Sequence, residues 1–121
     1  MVKRVYERWA RGDFGVDPEL LADDFVWHQR ADAVEPGSHR GAGIGRAVGR
    51  IFDVYEDFRI EEYVDAGEKV FVVARSHGRS RSSGMPLELR LAFVWSVCDG
   101  KLASMEQFAE RAEALRAAGL A

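Results

Sequence analysis

Arg75, His77, Arg79 and Arg81 occupy every second position of the segment RSHGRSRS. Alternate residues of an extended chain share one face. This spacing therefore projects three guanidinium groups and an imidazole the same way, where they can meet an anion, a catalytic partner or water. Glu106 is the acid of KLASMEQF, and His28 stands near the end of FVWHQ. An acid enclosed by aromatic side chains loses hydration, which raises its pKa and suits it to general acid–base work near neutral pH.

Several other chemistries are excluded at this level. The chain has 121 residues and a net charge of −3, against the basic balance of a dedicated nucleic-acid binder. Its single cysteine, Cys98, rules out an intrachain disulfide and a cysteine metal cluster, and fits a reducing cytoplasm. The three histidines lack metal-ligand spacing, so no metal is expected. Gly41-x-Gly43-x-Gly45 lacks the strand–turn–helix setting of a phosphate loop, so no nucleotide cofactor is expected. No apolar run approaches the roughly 18 residues of a membrane span, and MVKRVYERWARGD has no continuous apolar stretch of a signal peptide.

The elements that must position these side chains are readable from periodicity. Val2, Val5, Tyr6 and Trp9 recur at helical spacing and predict a first helix ending near Gly12. Asp17-Pro18 predicts the start of a short second helix carrying Leu20 and Leu21. Residues 25–29 read as a strand whose two sets, Phe25/Trp27/Gln29 and Val26/His28, point to opposite sides; either set can face the core. Residues 30–42 read as a loop, and Ile44, Val48, Ile51, Phe52 and Tyr55 as a helical stripe. Strands are predicted over 58–65, 69–81, 85–98 and 101–108, followed by a C-terminal helix. Helices followed by a long meander define an α+β domain spanning 1–121, with helices on one face of a curved sheet.

Turn chemistry supplies a register. Asp99-Gly100 is a type I′ hairpin signal that pairs Cys98 with Lys101. Carried back unbroken, it sets Trp95 against Ser104, Phe93 against Glu106 and Leu91 against Phe108. Ser82-Ser83-Gly84 fits a three-residue loop pairing Arg81 with Met85, which sets Arg75 against Leu91 and His77 against Leu89. The bulkier face then holds Phe71, Val73, Phe93, Trp95, Leu102 and Phe108, and is expected to be the concave core face. Arg75, His77 and Glu106 fall on it, with Arg75 and Glu106 roughly 12 Å apart by strand spacing. Arg79 and Arg81 lie close to the turn and reach water. The opposite face, with Ala92, Val94, Ser96, Ala103 and Met105, is small and apolar, which invites burial by a second copy of the chain.

The order of RGD…LLADDFVWH, a glycine-rich loop into a helix, EEYVDAGEKVFVVA, DGK and EALRAAGL resembles the SnoaL-like branch of the nuclear-transport-factor-2-like superfamily. The resemblance implies a cone-shaped α+β barrel, a homodimer, and a pocket between the helices and the concave sheet. Relatives include ketosteroid isomerase, limonene epoxide hydrolase, scytalone dehydratase and polyketide cyclases. The tyrosine and two acids of ketosteroid isomerase fall by position at Val5, Gln29 and Phe93, none of which matches. Arg75 and Glu106 are similar to part of the epoxide hydrolase site. His28, His77, Tyr6 and Tyr55 offer the residue types used by scytalone dehydratase.

Two functions follow as expectations. The first is a cofactor-independent enzyme acting on a small apolar, oxygenated molecule. Glu106, Arg75, His28 and His77 would be its catalytic groups, and Trp9, Trp27, Tyr55, Phe93 and Trp95 its ligand wall. The second is a non-catalytic binding or interaction module, in which those polar residues are ion-paired, hydrogen-bonded or solvated and the aromatics are core.

Overall fold

Val2, Val5, Tyr6 and Trp9 form the buried stripe of helix α1 (Val2–Ala10), as their spacing requires. The computed structural model describes residues 2–11, 18–29, 37–41, 43, 44, 46, 47, 50, 59–79 and 83–120. After a 3₁₀ turn at Pro18–Leu20 come the strands β1 (Leu21–Gln29), β2 (Gly37–Arg40), β3 (Arg59–Asp65), β4 (Lys69–Arg79), β5 (Pro86–Cys98) and β6 (Lys101–Phe108). Helix α2 (Arg111–Ala117) follows. Gly43, Ile44, Arg46, Ala47 and Arg50 are helical, with Ile44 and Ala47 buried. Tyr55 and the expected N-cap Asp17 lie outside the described residues.

The sheet order is β2-β1-β6-β5-β4-β3. All neighbours are antiparallel except β1 and β6, which run parallel. Among the described residues the sheet is an open, curved α+β layer with β2 and β3 at its edges. Two predictions change here. Pro18–Leu20 makes only a single 3₁₀ turn before Leu21 enters β1, and residues 37–40 form a strand where a loop was expected.

Both hairpin registers also change. Asp99 (φ 51°) and Gly100 (φ 74°) make the expected turn, and Cys98 faces Lys101. Ala103 is then an extra residue: Val97 pairs with Leu102, but Ser96 pairs with Ser104. This bulge turns the rest of β6 over relative to the unbroken count. Trp95 therefore faces Met105, Phe93 faces Gln107, and Glu106 faces Val94. In the other hairpin Gly84 is left-handed, with φ 68°, as expected. Among the described residues the last pair, however, is Arg79 with Pro86, one position off the expected register. Val70 then opposes Trp95, Val72 opposes Phe93 and Arg75 opposes Arg90. A pairing shift of one position sends Phe71, Val73, Arg75 and His77 to the face opposite Phe93 and Trp95.

Two cores result. The inner one joins the α1 stripe to Phe25, Trp27, Val70, Val72, Ala74, Phe93, Trp95, Leu102 and Met105. The outer one joins Phe71, Val73, Ala92 and Val94 to Ala114 and Ala118, with Phe108 and Leu115 packed against it. Helix α2 thus covers the patch at Ala92 and Val94 that was expected to receive a second subunit, and Met105 lies in the inner core. Its end is fixed by Gly119, whose φ of 74° closes a Schellman turn: Leu120 N–H donates to Leu115 O at 2.9 Å and Gly119 N–H to Arg116 O at 3.1 Å. Arg111 anchors its start, with two 2.7 Å hydrogen bonds to Glu62 and its guanidinium 5.7 Å from the centre of the Phe71 ring.

Candidate functional site

The charged side chains singled out by sequence lie on the outer face. Arg75 Nη2 is 3.2 Å from Glu61 Oε2, and Arg75 Nε is 3.3 Å from Glu88 Oε1. His77 Nε2 is 3.6 Å from Glu88 Oε2, and Arg90 Nε donates to Glu61 Oε1 at 2.7 Å. Glu61 occupies a bulge of β3, which lets it reach both arginines. The network matches charge with charge at half-exposed positions. Glu106 is exposed on this same face, beside Val94 and His28 in the register, so the desolvation expected for it is absent. His28 Nδ1 and Ser38 Oγ, on β1 and β2, hydrogen-bond at 2.7 Å.

The inner face has a different chemistry. Tyr6 on α1, Trp27 on β1 and Trp95 on β5 meet at its centre. Trp95 Nε1 donates to Tyr6 Oη at 3.0 Å in a fully buried contact. The Tyr6 and Trp95 ring centroids lie 6.0 Å apart and nearly perpendicular. Trp9 and Trp27 are 5.9 Å apart, and Trp27 and Trp95 are 6.0 Å apart. These are favourable edge and tilted geometries. Burial holds the Tyr6 hydroxyl far above the ordinary tyrosine pKa, only partly offset by the Trp95 hydrogen bond. It is therefore a neutral phenol at every physiological pH. Tyr63 on β3 is also pushed up, first by burial and then by the charge of Asp65.

Trp27 and Gln29 share the inward-facing set of β1, which settles the alternation the sequence left open. Trp27 is only 3% exposed, yet among the described residues its Nε1 has no hydrogen-bond partner. Two residues along, Gln29 Oε1 is buried and also lacks a partner among them. One donor and one acceptor thus stand unmatched on successive inward positions of one strand. Each such group left unpaired costs about 1–3 kcal/mol. Arg75 Nε also lacks an aligned hydrogen bond, but the Glu88 carboxylate beside it matches its charge. Ser76 and Gln107 are the buried polar residues among those described, and both fall on the inner face by register.

The expected ligand wall is thus brought together at Trp9, Trp27, Phe93 and Trp95. The expected catalytic set is not: Glu106, Arg75, His28 and His77 lie across the sheet from it. Gln29 was not among the candidate residues singled out by sequence. Its signal is its position, two residues after Trp27 on an alternating strand.

An open, curved sheet with α1 across its inner face is the nuclear-transport-factor-2-like arrangement, and solved structures share it. An NTF2-like protein from Burkholderia thailandensis E264 is 27% identical, with TM-score 0.75 over 94% of this chain and 93% of that one. A protein of ketosteroid isomerase-like fold from Catenulispora acidiphila DSM 44928, solved in complex with trimethylamine, is 19% identical, with TM-score 0.69 over 99% and 92%. A structure described as a polyketide cyclase from Sinorhizobium meliloti is 23% identical, with TM-score 0.68 over 88% and 92%. The SnoaL-like domain model matches residues 2–105, and the chain belongs to that family. No curated protein sequence matches it.

Proposed function

We propose that this chain binds a small, largely apolar molecule against the inner face of its sheet, with Trp9, Trp27, Phe93 and Trp95 as the apolar wall and Gln29 as a polar contact. The observation that carries this is the buried, unpartnered pair Trp27 Nε1 and Gln29 Oε1. Buried polar groups are nearly always satisfied, and a donor and an acceptor left open on successive inward positions of one strand mark where a ligand could complete the bonding.

The binding reading is favoured over acid–base catalysis by what the inner face lacks. Among the described residues, its buried side chains include no Asp, Glu, His, Lys or Arg. Tyr6, the ionisable group at its centre, is held neutral. A proton-transfer role for Glu106, Arg75 or His77 would require a ligand on the outer face, where these groups already sit in water or in ion pairs.

The test is titration with 1-N-phenylnaphthylamine, a neutral apolar fluorophore. Saturable one-to-one binding is expected, weakened at least tenfold in Phe93→Ala with the far-UV circular dichroism spectrum preserved. Absence of saturable binding to the folded protein rejects the reading.

A further inference from the structure

We infer that the molecule bound at this site presents a hydroxyl group, whose oxygen accepts a hydrogen bond from Trp27 Nε1 while its proton is donated to Gln29 Oε1. This rests on the ligand-binding reading above and narrows it to a class: apolar alcohols and enols.

The argument is one of matching. Trp27 offers only a donor, because indole nitrogen accepts nothing. Gln29 offers an acceptor through Oε1. The two residues lie about 7 Å apart along the strand, on one face. A single atom hydrogen-bonded to both must donate and accept at once, and a hydroxyl oxygen does so. A ketone or ether oxygen satisfies Trp27 and leaves Gln29 Oε1 facing a lone pair. An ammonium satisfies Gln29 and turns a hydrogen towards the Trp27 N–H. A carboxylate accepts from Trp27, but it meets the Gln29 oxygen and finds no buried cation among the described residues. Burying such an unpaired charge is far more costly than burying an alcohol. Trp9, Phe93 and Trp95 around the pair are apolar contacts for the rest of the molecule.

The experiment compares shape-matched alcohols and ketones. All three tryptophans of the chain, Trp9, Trp27 and Trp95, lie in this cluster, so intrinsic fluorescence reads its occupancy. Cyclohexanol and cyclohexanone form the small pair, and borneol and camphor the larger one. For at least one pair, the alcohol is expected to bind about tenfold or more tighter than its ketone, the preference an unpaired buried acceptor imposes. Gln29→Leu should abolish that preference while ketone affinity changes less than threefold. Trp27→Phe should weaken alcohol and ketone together. Gln29→Met repeats the first comparison should the leucine variant misfold, and far-UV circular dichroism confirms the fold of each.

Equal affinities overturn the inference, as a permanently bridging water would produce. So does a preference for the ketone, which signals a Gln29 amide turned to present its Nε2 donors. An alcohol preference that survives both Gln29→Leu and Gln29→Met places the hydroxyl elsewhere and also overturns it. If all four probes fail while phenylnaphthylamine binds, the hydroxyl assignment falls and the binding site stands. If phenylnaphthylamine fails as well, the ligand-binding reading falls first.

Discussion

The two faces of the sheet divide the polar chemistry of the chain unequally. On the outer face Glu61, Arg75, His77, Glu88 and Arg90 carry charges, and their contacts match one another. On the inner face the buried groups are neutral, and two of them, Trp27 Nε1 and Gln29 Oε1, are unmatched. The side chains that look reactive in isolation are matched charge for charge, while the bland ones have neutral bonding capacity to spare. Capacity left over after folding, more than residue type, indicates where a ligand goes.

The sharpest way to break this contrast is at Trp95, which is fully buried and joins Tyr6, Phe25 and Trp27. Trp95→Ala should cost about 3–5 kcal/mol in urea unfolding, the range for emptying a large aromatic site. A loss below about 1 kcal/mol would mean that the inner face is not organised around this ring.

Tyr6→Phe is milder. It keeps the ring and strands Trp95 Nε1, so about 1–3 kcal/mol should be lost. It also carries a pH signature. The folded state holds the Tyr6 pKa above the ordinary value of 10.0, so its contribution is fully present below pH 10.0. As pH rises past that value the unfolded chain releases the proton first, and stability falls. Urea unfolding of wild type and Tyr6→Phe across pH 9 to 11, around that ordinary value, should show a steeper alkaline loss in wild type.

On the outer face the effects should be smaller. Arg111 holds the Glu62 carboxyl below its ordinary value of 4.5 through their hydrogen bonds. The pair's contribution is therefore present above pH 4.5 and fades as pH falls through the depressed value. Glu62→Gln should lower the melting temperature slightly at pH 7, and the gap to wild type should close in acid. Solvent screening of this half-exposed pair keeps the effect well below that of Trp95→Ala.

The smallest effect expected is none. Glu106→Gln and His77→Ala should leave phenylnaphthylamine affinity within about twofold of wild type, the range for surface changes remote from the site. A tenfold loss in either would bring the outer face back into the function.

Much of this arrangement was legible in sequence, and where legibility failed the cause was parity. The α1 stripe, the Asp99-Gly100 turn and the left-handed Gly84 were read correctly, because each has a local chemical marker. Ala103 has none: one extra residue in a bulge looks like any other strand residue, yet it moves Glu106 from the aromatic face to water. The one-position offset in the β4–β5 pairing does the same to Arg75 and His77. β2, with Gly37, Ser38, His39 and Arg40, shows no apolar alternation because it is an edge strand resting on β1 alone. The clustering of Trp9, Trp27, Phe93 and Trp95 did not depend on these counts, since large apolar side chains find the core whichever way the register is counted. Gln29 did not stand out, because an amide discloses its role only through what surrounds it.

The parallel pairing of β1 with β6 has a consequence in time. Trp27 sits beside Met105 and Val26 beside Ser104, so a strand made early waits for one made late. Until β6 leaves the ribosome, the apolar stripe of α1 and the inward side of β1 lack the surface they bury against. Long-range pairing of this kind slows folding and leaves apolar segments exposed meanwhile. The aromatic side chains of the inner core are, during synthesis, apolar surface still waiting for its cover, the kind of surface a chaperone shields.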